Sequence, residues 1–344
     1  IRMKPDAISY NTAILAYANN RSKGAGKVAR SILRRMEERY KNGDHTLAPT
    51  SQTYTAVIKA FNWERESTRH AEEIVADLKK KSNADVAFMR PDTAIYNALL
   101  NCWAKSGSRG AAQRAEEILN EMWKVYSETG DESAKPNSRT YTALIDALAK
   151  SGEKGSSERA LEILDMMDKL YEGGDVHARP TVYTYTAVIN SLARSILSDK
   201  AVKAVSVLQR MEEQYRGGND AARPNVIAYN AVLNSCAYTV GDAEAIETAF
   251  KIACLVFDEV RSSGYVRPTH VTYGTFLSVC AHLMPESEVR DNLVEVTFKR
   301  AARDGVVSKM VWRNLKGATS PKLLNELLEQ GNDGKLESQW SRNI

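Results

Sequence analysis

Apolar residues recur along this chain at intervals of three and four. Around the middle they fall at Tyr141, Leu144, Ile145 and Leu148. That spacing lines one face of a helix with a turn every ~3.6 residues. The stripe returns as Tyr54, Val57, Ile58 and Phe61, as Tyr96, Leu99, Leu100 and Trp103, as Tyr185, Val188, Ile189 and Leu192, and as Tyr229, Val232, Leu233 and Cys236. After a polar break such as Ser151-Gly-Glu-Lys-Gly155, a second stripe follows: Ala160, Ile163, Leu164, Met167 and Tyr171. Glycine clusters, such as Gly173-Gly174, end that second helix. No alternating strand pattern is present, so the expectation is a chain of helical hairpins.

The hairpins keep a fixed period. Pro5, Pro49, Pro91, Pro136, Pro180, Pro224 and Pro268 lie 44, 42, 45, 44, 44 and 44 residues apart, and a tyrosine follows each five residues later. A period between roughly 20 and 50 residues marks a stacked repeat protein. Two residues after the tyrosine stands Thr12, Ala56, Ala98, Ala143, Ala187, Ala231 or Thr275, small enough for a neighbouring helix to approach closely. Proline suits the first helical turn, having no N–H to lose there. The fold expected is an all-α solenoid of about seven helix-turn-helix repeats over 1–285, with units starting near 5, 49, 91, 136, 180, 224 and 268. Residues 286–344 complete the last unit and cap the array: 286–304 reads as a helix, and Ser320–Leu328 as a terminal capping helix.

Composition narrows the function. Charged residues make up 26% of the chain and the net charge is +4, which allows an anionic partner without demanding one. Four cysteines, Cys102, Cys236, Cys254 and Cys280, form no C-x-x-C pair. No apolar run reaches the ~18 residues a membrane span needs, so no membrane insertion is expected. The five histidines are scattered. Gly24-Ala-Gly-Lys27 lacks phosphate-loop spacing and reads as a turn. No catalytic constellation, metal or cofactor is expected.

The motifs Arg90-Pro91-Asp92-Thr-Ala-Ile-Tyr-Asn-Ala-Leu-Leu100 and Arg223-Pro224-Asn225-Val-Ile-Ala-Tyr-Asn-Ala-Val-Leu233, followed by Ala-x-x-Ile/Leu-Leu-x-x-Met, resemble the pentatricopeptide repeat family over residues 4–285. The units are longer than the family's usual ones, and the tail resembles members from diatoms and related algae. The resemblance implies a right-handed superhelix whose first helices bind single-stranded RNA on the concave face, roughly one base per repeat. It implies a role in RNA processing, stability or translation in a mitochondrion or chloroplast. It also implies contacts with other organellar proteins through the convex face or the C-terminal tail.

By that resemblance, one base reader follows the tyrosine and the other follows the next unit's proline. The pairs are Asn11 with Thr50, Thr55 with Asp92, Asn97 with Asn137, Thr142 with Thr181, Thr186 with Asn225, and Asn230 with Thr269. Family analogy makes Thr55/Asp92 a guanine reader, Thr186/Asn225 an adenine reader and Asn97/Asn137 a pyrimidine reader; Gly274 in the seventh unit reads nothing. Nine residues after the tyrosine the family places phosphate contacts: Lys105, Lys150 and Arg194 here, with Asn19, Trp63, Tyr238 and His282 elsewhere in that row. Bases would be sandwiched by Ile8, Gln52, Ala94, Arg139, Tyr183, Ile227 and Val271. Residue chemistry leaves bland readings open: Asn, Thr and Asp beside a helix start are common caps and turn residues. A second functional reading, a protein scaffold within a large organellar complex, rests on the low net charge and the irregular readers.

Overall fold

The computed structural model describes residues 5–20, 22–62, 64, 66–84, 89–330 and 338–344. These residues form α1 (Ala7–Asn20), α2 (Ala25–Lys41), α3 (Ser51–Phe61), α4 (Ser67–Ala84), α5 (Thr93–Ser106), α6 (Ala111–Thr129), α7 (Ser138–Ser151) and α8 (Ser156–Glu172). They continue as α9 (Val182–Arg194), α10 (Lys200–Arg216), α11 (Val226–Ala237), α12 (Ala243–Ser262), α13 (His270–Leu283), α14 (Glu288–Arg303), α15 (Lys309–Ala318) and α16 (Pro321–Gln330). No strand occurs among the described residues. The fold is all-α, an α-solenoid of helical repeats. It divides into two compact units, Ile1–Glu153 with Met166–Arg179, and Lys154–Asp165 with Pro180–Ile344.

The leading helix of each hairpin starts the same way. The residue after the proline is extended, with φ −108° and ψ 168° at Thr50 and φ −131° and ψ 170° at Asn225. It is the N-cap, so the proline sits one position before the cap and not in the first helical turn. Thr50, Asn137, Thr181 and Thr269 each form a reciprocal capping box with the threonine three residues on. Such a box satisfies two N–H groups that the first turn would leave unpaired. Three exit loops place an alanine, Ala134, Ala178 or Ala222, in a short 3-10 turn with no exposed surface. That single apolar anchor fixes each loop two residues before its proline.

In the first unit α1, α3, α5 and α7 pack side by side, with α2, α4 and α6 behind them. Tyr54, Tyr96 and Tyr141 are buried between the layers. Burying a ring of this size contributes on the order of 2 kcal/mol. The Tyr54 hydroxyl donates to Glu37 Oε1 at 2.8 Å, and Lys81 Nζ donates to Glu37 Oε2 at 2.6 Å. The Tyr96 hydroxyl donates to Glu121, which also pairs with Lys79. The phenols of Tyr54 and Tyr96 therefore each meet a carboxylate whose charge a lysine balances, whereas the Tyr141 hydroxyl is buried without a hydrogen-bond partner among the described residues.

In the second unit α9, α11, α13 and α15 form the corresponding row. Phe257 and Phe276 stack at 4.0 Å in its core. The helix read from sequence over 286–304 is α14, and a helix does form near 320–328 as α16. The element lying on α13 is α15, which the periodicity did not reveal. Asn314 Nδ2 donates to Gly274 O at 2.8 Å, and a side chain at Gly274 would stand 3.2 Å from Met310 Cγ. Ser308 caps α15 with Trp312 four residues on, the cap-to-ring spacing of Thr269 and Tyr273. The described tail docks nearby: Val307 N donates to Trp340 O at 2.8 Å, and the Trp340 ring meets Phe298 edge-on.

Candidate nucleic-acid interface

Because α3, α7, α9, α11 and α13 bury the tyrosine and the residues three, four and seven later, and α5 the first three of these, the positions one, five and nine after the tyrosine share the opposite face. The residue two before the tyrosine extends this stripe. On α5 it reads Ala94, Asn97, Asn101 and Lys105; on α7, Arg139, Thr142, Asp146 and Lys150; on α9, Tyr183, Thr186, Asn190 and Arg194; and on α11, Ile227, Asn230, Asn234 and Tyr238. Lys105, Lys150 and Arg194 are all exposed. Among the sandwich positions Ile8, Tyr183 and Ile227 are 74%, 75% and 60% exposed, a degree unusual for large apolar side chains. Trp63 lies outside the described residues.

All six second-reader residues, Thr50, Asp92, Asn137, Thr181, Asn225 and Thr269, are helix N-caps. Asn137 Oδ1 accepts from the backbone N–H groups of Arg139 and Thr140, and Asn225 Oδ1 from those of Ile227 and Ala228. Asp92 Oδ1 accepts from Ile95 N at 3.0 Å and Ser51 Oγ at 2.8 Å. The cap thus falls on the residues expected as second readers. In Asn137 and Asn225 the cap uses the acceptor and leaves the amide N–H donors. In Asp92 it uses one carboxylate oxygen and leaves the other as an acceptor.

The first readers differ in how far the protein satisfies them. Thr142 Oγ1 donates to Ser138 O at 2.7 Å and Thr186 Oγ1 to Val182 O at 2.6 Å, both within their own helices. Asn11 Oδ1 accepts from Thr53 Oγ1 at 2.7 Å, which ties it to the capping box headed by Thr50. Asn97 Nδ2 donates to Asn137 Oδ1 at 3.3 Å, so this pair meets directly. Thr55 Oγ1, Asn97 Oδ1 and Asn230 Oδ1 are buried without a hydrogen-bond partner among the described residues. An unsatisfied buried polar atom costs roughly 1–3 kcal/mol, so its retention asks for a reason. Thr142 belongs to the first compact unit and Thr181 to the second.

Two features of the stripe escaped the sequence reading. The row five after the tyrosine, Leu15, Lys59, Asn101, Asp146, Asn190, Asn234 and Ser278, lies between the reader row and the phosphate row. Spacing of four residues on each side could have found it. In α15, Arg313 stands where Gly274 stands in α13. Cys236 and Cys280 are buried, and burial pushes their thiols up to about 12, which keeps them protonated core residues. Among the described residues no three His, Cys, Asp or Glu are grouped to hold a metal ion, and no helix is long and apolar enough to cross a membrane.

Comparison with protein families gives three matches to the pentatricopeptide repeat domain, over residues 124–194, 178–239 and 219–282. No curated protein matches the chain. The matched segments run from α6 to α13 and so include the tyrosine helices α7, α9, α11 and α13. With their capped, tyrosine-bearing hairpins and these matches, residues 124–282 form pentatricopeptide repeats.

Proposed function

We propose that the stripe on the leading helices binds single-stranded RNA, with the paired first-row and cap residues addressing bases and Lys105, Lys150 and Arg194 holding phosphates. The supporting observation is the row of exposed cations, Lys105, Lys150 and Arg194, on helices whose cap residues Asp92, Asn137 and Asn225 keep a polar group that the cap does not use. A base edge supplies partners for such spare groups. The caps sharpen the assignment: the spare oxygen of Asp92 suits the N–H groups of guanine, whereas the spare amides of Asn137 and Asn225 suit the acceptors of pyrimidines and adenine. Exposed Tyr183 and Ile227 offer faces on which bases stack. The protein acts in transcript processing, stability or translation in a mitochondrion or chloroplast, as a binding scaffold without a catalytic step of its own.

The test is binding of labelled single-stranded RNA across a salt series. Each phosphate contact on a single strand contributes about 0.7 to the slope of log K against log salt. Replacing Lys105, Lys150 and Arg194 together by Gln is expected to lower that slope by about 2. A wild-type chain that binds no single strand, or a triple variant with an unchanged slope, overturns the reading. Retention of a protein complex after RNase, with no RNA affinity, marks a protein scaffold instead.

A further inference from the structure

A recess of about 280 Å3 opens in the first unit between the leading helices α1, α3 and α5. One water occupies only ~30 Å3 of liquid, so the recess is far more than a hydration hole. Two lysines reach it from adjacent helices: Lys59, five after its tyrosine on α3, and Lys105, nine after its tyrosine on α5. Both are exposed, and among the described residues no carboxylate lines the recess. The small side chain of Ala98 leaves the space open, and Asn62 and Asn101 add amides. Asn101 Nδ2 donates to Asn97 O at 2.7 Å. That bond fixes the amide's orientation and leaves its Oδ1 as an acceptor.

We propose that this recess seats one ribose-phosphate of the bound strand. Two ammonium groups without a competing carboxylate select a phosphate oxygen. The acceptor of Asn101 selects a neighbouring hydroxyl donor, which in a nucleic acid backbone is the 2′-OH. The seat rests on the RNA-binding reading and adds to it a backbone contact, Lys59, that lies off the phosphate row. It also makes this point of the stripe favour RNA over DNA.

The experiment measures binding of an RNA oligonucleotide and the DNA of the same sequence to the full chain and to K59Q, K27Q and N101A. Lys27 is an exposed lysine on α2 and serves as the control. K59Q is expected to lower the salt slope by about 0.7, with K27Q unchanged. N101A is expected to reduce the RNA-to-DNA affinity ratio several-fold with the salt slope kept. Far-UV circular dichroism checks that the helices are intact. Wild-type binding with K59Q indistinguishable from K27Q overturns the seat and leaves the RNA reading standing. An unchanged RNA-to-DNA ratio in N101A overturns the ribose contact. Absence of wild-type RNA binding removes both the reading and the seat.

Discussion

Glu259 faces Glu212 across the hydroxyl of Tyr229, which lies 3.0 Å from one carboxylate and 3.1 Å from the other. In the first unit the corresponding carboxylate, Glu37, meets Lys81. Beside Glu212 stands a second carboxylate and not a lysine, with Arg216 paired to Glu212 at 3.1 Å. Burial first, and then the Glu259 charge, push the Glu212 carboxyl above the ordinary carboxylate range. The folded state therefore holds this proton more tightly than the unfolded chain. Stability from the pair is present at low pH and is lost as pH rises through the raised value. Replacing Glu259 by Gln is expected to flatten this pH dependence and to raise the melting temperature at neutral pH by roughly 1–2 °C, the effect of ~1 kcal/mol in a chain of this length. Thermal melts between pH 4 and 8 check it, and an unchanged profile counts against the shared proton.

Lys200 is 3% exposed, and its ammonium donates to Ala193 O at 3.3 Å and Ser195 O at 3.0 Å. These carbonyls close α9, which lacks the left-handed glycine that ends α5 and α7. Arg290 does the same for α13 by donating to Met284 O at 3.2 Å. Lys200→Ala leaves the carbonyls unpaired and opens a void, so a loss of about 2–3 kcal/mol is expected. Chemical denaturation measures it; a stability equal to wild type would remove the capping role.

Gly274 sits under Met310, where a Cβ would approach Cγ to 3.2 Å and Cε to 3.3 Å. Gly274→Asn restores the residue type of Asn97 and Asn230 at this position but must displace α15. Faster amide exchange across 309–318 is expected, with partial recovery in the double variant carrying Met310→Ala. Equal protection in Gly274→Asn and wild type would show that the methionine yields freely.

Asn137 both starts α7 and stands in the second-reader row, so its two roles can be separated. Asn137→Ala removes the cap and is expected to destabilise by about 1 kcal/mol. Asn137→Asp keeps an oxygen for the backbone and is expected to retain stability. In a panel of RNA oligonucleotides differing at one base, it is expected to shift preference from pyrimidine towards guanine. Unaltered preference in a stable Asn137→Asp would confine the residue to capping.

The leading helices were legible because two signals coincide there: the three-four spacing of buried residues and the fixed step from Pro49 to Tyr54 and its six counterparts. The residue after the proline was legible as cap or reader, and only backbone geometry shows that Thr50 and Asn137 cap. The stripe's middle row stayed hidden because its residues share a position and not a type, from Lys59 to Asp146 to Asn234. α15 stayed hidden because Val307-Ser308 replaces the Pro-Thr of Pro268-Thr269 and Trp312 replaces tyrosine. The Glu212–Glu259 meeting depends on the register of two trailing helices 47 residues apart in sequence, which no local pattern reports.

The cap at Asn137, Asp92 and Thr181 has a consequence for how such a stripe changes over time. On the proposed reading, a substitution that alters the base addressed must also begin a helix, and few side chains do both. Backbone chemistry favours Asp, Asn, Ser, Thr and Gly at these positions, before any RNA is met. New specificities are then reached at least cost by moving among those residues, and most changes outside them lose about 1 kcal/mol of stability.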